Sequence, residues 1–296
     1  MDYVSIAAAA GRWGVSERSA RNYCAQGRVP GAYLDGKTWM VPADAEKPDR
    51  KPRPARRNDL VSRLTAEMDA GIRNGIYRRL QVDIAYNSNH IEGSRLSEEQ
   101  TSQIFETHTI SPDGGDVSVD DIVETSNHFR CFDHILRTYG RKLSGSYIKN
   151  LHLMLKQGTT DLFVKGYVIG KAKKLPNTIG DLDTVPPGMV DSAMEDLLSE
   201  YESLETYSLD ALLDFHVRFE RIHPFQDGNG RVGRLLLFKE CLRRGIVPFV
   251  ISDRDKSFYY RGLREWDRDH AYLTDTCLSA QDEMKELLTF FRIDSE

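Results

Sequence analysis

The chain has 296 residues, 40% of them hydrophobic and 29% charged, with a formal net charge of −5. That balance suits a folded chain with room for roughly two domains, and it excludes a wholly disordered chain, a collagen-like repeat and a small disulfide-stapled scaffold. No apolar run approaches the ~20 residues that span a bilayer. The opening residues lack the basic stretch and apolar core of a secretory signal. Cys24, Cys131, Cys241 and Cys277 form no CxxC pair, so they are expected to be reduced, buried thiols in a cytoplasmic protein with no membrane partner. The charge is uneven. Residues 1–57 carry 11 Lys+Arg against 6 Asp+Glu, or +5, and the remainder carries 29 against 39, or −10. A basic head on an acidic body implies two parts with different partners.

In the head, residues 1–46, Ser5 can cap a helix running to Trp13, and Gly14 allows a sharp turn. Ser16 can cap a second helix to about Gln26, stopped by Gly27. Ala32 to Val41 alternates around Asp35-Gly36, a hairpin signal. Helix, tight turn, helix and wing resemble the small winged helix-turn-helix heads of the MerR and excisionase type. That resemblance implies DNA as a partner, with Arg18, Arg21 or Asn22 at base edges and Arg28 and Lys37 at phosphates. The competing reading is a basic protein-docking module, because three or four cations supply only a modest phosphate term.

Lys47 to Arg57 reads KPDRKPRPARR. Its prolines block helix and its like charges extend the chain, so residues 47–59 are a predicted linker. The body, 60–296, is predicted mainly α. Helices are expected over 60–84, from the Ser97–Gln100 capping box, and over 119–139, 146–155, 189–201, 212–222, 232–242, 256–266 and 277–291. The stretch 163–183, punctuated by Gly166, Gly170, Pro176 and Gly180, reads as an irregular hairpin or flap.

The chemistry concentrates in His223-Pro-Phe-Gln-Asp227-Gly-Asn-Gly-Arg231-Val-Gly-Arg234. A helix starting near Asn229 presents unpaired N–H groups and a positive dipole end. Gly228 and Gly230 let backbone approach a ligand closely, which together makes an anion nest suited to phosphate. Arg231 and Arg234, three apart, can serve one anion with planar donor forks. Asp227 offers a hard oxygen of the kind that holds Mg²⁺ beside phosphates. His223 can accept a proton from an attacking hydroxyl. Each residue alone has a bland reading, as a cap, a turn or a solvated face; twelve residues holding all of them do not.

This segment matches HxFx(D/E)GNGRxxR at every specified position and is similar to the signature of Fic-domain proteins, over roughly residues 60 to 290. The resemblance implies a helical Fic-type domain with a short β-hairpin flap. It implies transfer of AMP from ATP to a Ser, Thr or Tyr hydroxyl of a target protein. His223 would be the general base and Asp227 would hold Mg²⁺. Gly228, Asn229 and Gly230 would cradle phosphates, with Arg231 and Arg234 at their far end. Asn177, Thr178, Ile179 and Gly180 fall where the family carries a flap that pairs with target backbone. The stretch is longer and richer in lysine (Lys171, Lys173, Lys174) than usual. Tyr260 would stack on adenine and Asp267 would meet the base, although core packing explains Tyr259 and Tyr260 nearly as well. Fic proteins often dimerise, which makes a homodimer an expectation.

Ser88-Asn-His-Ile-Glu92-Gly93 matches (S/T)xxxE(G/N), which in Fic proteins marks an inhibitory helix. By that resemblance Glu92 pairs with Arg234 where the ATP γ-phosphate belongs, and Ser88 steadies the helix end. The local alternative is a helix C-terminus with Gly93 as its stop. The leading reading is therefore an adenylyltransferase restrained by Glu92. Two alternatives stand beside it: removal of AMP through the same site, and a DNA-binding regulator whose body senses nucleotide.

Overall fold

The structure, a computed structural model, describes residues 2–25, 27–36, 38–48, 59–111, 116–180 and 182–294, with the side chain of Asp59 excepted. It divides into two compact units, Met1–Arg56 and Arg57–Glu296. Gln26, Lys37 and most of the predicted linker lie outside the described residues.

In the first unit the Ser5 hydroxyl accepts from the Ala8 N–H and starts α1 (Ile6–Trp13), which Gly14 ends in the left-handed region at φ 64°. Helix α2 follows (Glu17–Ala25). The expected hairpin is β2 (Tyr33–Asp35) and β3 (Thr38–Pro42), and Tyr3–Ser5 adds a strand, β1, which the sequence reading missed. The sheet order is β1-β3-β2, antiparallel throughout. Ile6, Ala9, Ala10, Trp13, Ala20, Cys24, Val29 and Val41 form a small core. Small alanines let α1 sit close to its neighbours, and the polar face of α2 stays in solvent.

In the second unit the single helix expected over 60–84 is two, α3 (Asp59–Ala70) and α4 (Ile76–Ile91). The cause is local. Gly71 takes φ +63° and ends α3, and the buried Glu67 carboxylate accepts the Tyr77 N–H at 2.9 Å, capping α4. A Cβ at Gly75 would overlap that carboxylate, so a larger residue there would displace the cap. Then come α5 (Glu98–Thr107), with both capping-box bonds formed, α6 (Val119–Thr138) and α7 (Gly145–Lys156). The flap holds β4 (Thr178–Ile179) paired with β5 (Leu182–Asp183). After it run α8 (Val190–Glu202), α9 (Leu209–Ile222), α10 (Asn229–Arg244), α11 (Lys256–Glu265) and α12 (Ala271–Phe290). Helix α12 begins before the expected Cys277. Polar Thr274, Asp275 and Thr276 hide the pattern, while buried Leu273 packs against Gly262 of α11.

Helix α10 is the axis of this unit. Every residue from Asn229 to Leu242 is buried, as expected of a helix enclosed on all sides rather than one with a single apolar stripe. Its inward charges are matched: Lys239 donates to Glu240 at 2.7 Å and to the Arg141 carbonyl at 2.6 Å. The four cysteines are free and buried. Among the described residues no helix is long and apolar enough to cross a membrane.

Candidate active site

The loop between α9 and α10 is left-handed at both ends. His223 closes α9 at φ 51°, ψ 62°, with its N–H on the Phe219 carbonyl at 3.0 Å, and Gly228 opens α10 at φ 79°. A histidine in that region carries backbone strain, which persists only where its surroundings impose it. Its Nδ1 lies 3.2 Å from the Glu220 carbonyl. A carbonyl only accepts, so Nδ1 bears the proton and Nε2 keeps its lone pair. Burial lowers the imidazole's pKa, the Glu220 carbonyl opposes it, and the Lys173 ammonium lowers it further. His223 is therefore neutral at pH 7 and able to take a proton.

The loop is tied from within and without. Asn229 accepts from the Phe225 N–H and donates to the Phe225 carbonyl, both at 2.8 Å. The Asn229 side chain is thus spent on the loop itself, and Asn229 offers a ligand its backbone. Phe225 stacks on His152, centroids 3.8 Å apart. His152 accepts the Gly170 N–H on Nδ1 and so donates from Nε2 to the Asp227 carbonyl at 3.0 Å. Burial lowers its pKa to about 4, which keeps that tautomer.

At the start of α10 both arginines are buried and occupied. Arg231 pairs with Glu124 of α6 and, at 3.2 Å, with Asp227. Arg234 donates from Nε to Ser88 Oγ at 3.0 Å and from Nη2 to the Ser88 carbonyl at 2.9 Å and Glu92 Oε1 at 2.7 Å. Glu92 is the C-cap of α4, and Gly93 follows at φ 100°. The helix-end reading and the Arg234 contact therefore hold at once. The Glu92 carboxylate lies over Gly230, where a Cβ would overlap it. Burial pushes this carboxyl up, but Arg234 and then Arg231 more than offset that and hold it below the ordinary value.

Asp227 is the carboxylate that could serve a metal. Its side chain is 47% exposed, and Oδ2 lies 2.5 Å from the Lys156 ammonium. Glu124 and Asp161 stand close enough to join it in one cluster. Lys156, however, sits among all three, paired with Glu124 and 2.5 Å from Asp161. The cluster as a whole does not fit a cation cage, because an ammonium already fills it. Asp227 alone fits as a single oxygen donor at the rim of the nest, with phosphate and water completing the shell. Burial raises its carboxyl, and Lys156 leads the groups that bring it below the ordinary value, so it is ionised.

The outlying predictions divide. Tyr259 is fully buried, its hydroxyl 2.7 Å from His216 Nε2, which makes it core. Tyr260 is 37% exposed and reaches toward the Ile91 carbonyl. Asp267 is largely exposed, and both its carboxylate oxygens accept from Arg221 Nη1 at 2.9 Å. In the flap, Thr178 and Ile179 form the strand and Gly180 turns at φ +56°. Asn177 instead faces the loop between α9 and α10, donating to the Phe225 carbonyl at 3.0 Å. Arg18, Arg21 and Asn22 are exposed on α2 of the first unit. Sequence reading missed Glu124, His152, Lys156, Glu220 and the structural use of Lys173. For the helical ones the signal was a charged or imidazole side chain within an otherwise apolar face; Lys173 lies in the loop before β4.

Residues 142–240 match the Fic/DOC family. The chain carries a Fic domain. Over 216 residues it is 28% identical to the protein adenylyltransferase Fic of Culex quinquefasciatus, covering 71% of this chain and 41% of that protein. It is 29% identical over 190 residues to the protein adenylyltransferase Fic of Drosophila grimshawi, covering 60% and 36%. The chain thus spans well under half the length of these curated relatives. A Fic domain containing signaling protein from Bacteroides thetaiotaomicron shares the fold with TM-score 0.62 at 22% identity, covering 78% of this chain and 94% of that one. Fic-1 from C. elegans does so with TM-score 0.61 at 18% identity, covering 80% and 72%.

Proposed function

We propose that the Fic domain is a protein adenylyltransferase, moving AMP from ATP to a hydroxyl side chain of a target protein, and that Glu92 restrains it. The observation that carries this is His223: a neutral imidazole with Nδ1 pinned, on the same loop that opens a helix N-terminus holding two buried arginines. The names of the curated relatives support the same reaction. In the reaction, Nε2 takes the proton of the target hydroxyl. The hydroxyl oxygen bonds to the α-phosphorus as the bond to the β-phosphate bridge breaks. Pyrophosphate leaves toward the α10 N–H groups and the arginines. A divalent cation such as Mg²⁺, when bound at Asp227, would lower the charge on the phosphates. Arg234, while paired with Glu92, is withdrawn from that task, which is the basis of the restraint.

Intact-mass spectrometry after incubating the Glu92→Gly chain with ATP and Mg²⁺ tests this. A gain equal to AMP, absent in Glu92→Gly/His223→Ala, is expected. An unchanged mass with ATP demonstrably bound contradicts it, and a gain equal to phosphate would name a different transfer. Release of AMP by the unmutated chain from its labelled form, lost in Glu92→Gly, would identify the reverse reaction. For the head, the exposed Arg18, Arg21 and Asn22 support DNA contact. A mobility shift weakened by Arg18→Ala/Arg21→Ala is expected, and equal binding by both chains contradicts it.

A further inference from the structure

Lys173, at the base of the flap, is only 4% exposed. Its main-chain N–H donates to the Pro224 carbonyl at 2.8 Å and its ammonium to the Ile222 carbonyl at 3.2 Å. Those two carbonyls flank His223. The ammonium also donates to Asn177 Oδ1 at 2.7 Å and Thr184 Oγ1 at 2.5 Å. Asn177 reaches the Phe225 carbonyl, Thr184 Oγ1 donates back to Asn177, and Leu175 and Gln226 exchange two bonds at 3.1 and 3.3 Å. One buried lysine therefore joins the flap on both sides of its strand pair to the loop of the candidate base. All its described partners are neutral. A buried ammonium without a counter-carboxylate is costly, and a neutral side chain would hold two loops together at less expense of stability. The charge thus calls for a role beyond packing.

We propose that Lys173 is a positioning residue for His223: it brackets the histidine between two bonded carbonyls and ties the flap to the loop that carries it. This rests on the reading of His223 as a general base. The bracket explains how a non-glycine residue is kept at positive φ. The charged groups that bear on the imidazole are Lys173 from the flap, Glu92 from the end of α4 and Asp227 from the loop. The two carboxylates favour the charged imidazole. Lys173 is the near cation against them.

The test uses the full chain carrying Lys173→Met, with Lys173→Gln as a second variant that keeps a donor and loses the charge. Histidine ¹⁵N NMR, with His223 assigned by loss of its signals in His223→Ala, follows the titration directly and needs no transfer activity. The His223 midpoint is expected to rise by about half a unit or more in both variants. In the Glu92→Gly background, self-labelling with [α-³²P]ATP is expected to fall about tenfold or more in Lys173→Met, with KM for ATP little changed. Lys173→Gln should retain more of that rate. If Lys173→Met fails to fold, Lys173→Gln supplies both readings. An unmoved midpoint in a folded variant overturns the inference. Absence of labelling in the Glu92→Gly parent would instead refute the proposed reaction and leave the NMR result to decide the role of Lys173.

Discussion

Replacing Glu92 by Gln keeps the side-chain shape and removes the charge that meets Arg234. Arg234 has three described bonds, to Ser88 Oγ, to the Ser88 carbonyl and to Glu92 Oε1 at 2.7 Å. Only the last carries a counter-charge. A hydrogen bond between charged groups contributes about 1.5–3 kcal/mol net. If that contact must be given up before a terminal phosphate can reach Arg234, its loss corresponds to roughly 10- to 150-fold in productive ATP binding. Glu92→Gly should give the full gain in self-labelling and Glu92→Gln a smaller one. Stability should fall by only about 1–3 kcal/mol, because both bonds to Ser88 remain. Labelling rates at several ATP concentrations, calorimetric ATP binding and denaturant unfolding together check these numbers. The pH behaviour follows from the depressed carboxyl. A carboxyl held below its free value contributes stability above that value and loses it as pH falls through the folded one. The restraint should therefore be constant from pH 6 to 8 and weaken only in acid. Labelling that stays the same in both variants, with ATP affinity also unchanged, would refute the competition.

Three further substitutions separate the parts of the site. Gly230→Ala places a Cβ into the Glu92 carboxylate; it should disrupt the pair with Arg234 without raising labelling, since the same methyl obstructs the nest, and a gain matching Glu92→Gly would contradict this. Lys156→Met leaves Glu124, Asp161 and Asp227 without their shared ammonium, and denaturant unfolding should show a loss of about 3–5 kcal/mol. Glu220 is buried, with its carboxyl raised by burial to about 8 and Oε1 without a hydrogen-bond partner among the described residues. The folded protein thus holds a proton that the unfolded chain releases near the ordinary carboxyl value. Stability should decline as pH rises from about 5 to about 8 and level off above, and in Glu220→Gln that decline should be absent from thermal unfolding.

Much of this architecture was legible because the deciding signals are local. The segment 223–234 carries its own turn residues, and Ser97 with Gln100 or Ser5 with Gly14 mark helix ends by chemistry that acts within a few residues. The Glu92–Arg234 contact spans 142 positions, and only the family resemblance connected its partners. What stayed hidden depends on tertiary burial. Lys156 and Glu124 sit on amphipathic helices where charges ordinarily face solvent, and nothing in their spacing shows that both turn toward Asp227. Glu67 breaks a periodic helix by capping the next one across Gly75. Nothing in the spacing shows that the Asn229 amide, four residues from Phe225, closes on the loop and leaves only its backbone to the nest. The pairing of Asp267 with Arg221, 46 positions away, likewise has no signal in the sequence.

The claim on which the rest depends is that the start of α10 seats a triphosphate under His223. A crystal structure of the Glu92→Gly chain with a non-hydrolysable ATP analogue and Mg²⁺ tests it most directly. The account predicts phosphates on the backbone of Gly228–Gly230, the terminal one at Arg234, and the α-phosphate facing His223 Nε2. A nucleotide bound elsewhere, or an empty nest with Arg234 still closed against Ser88, would contradict it.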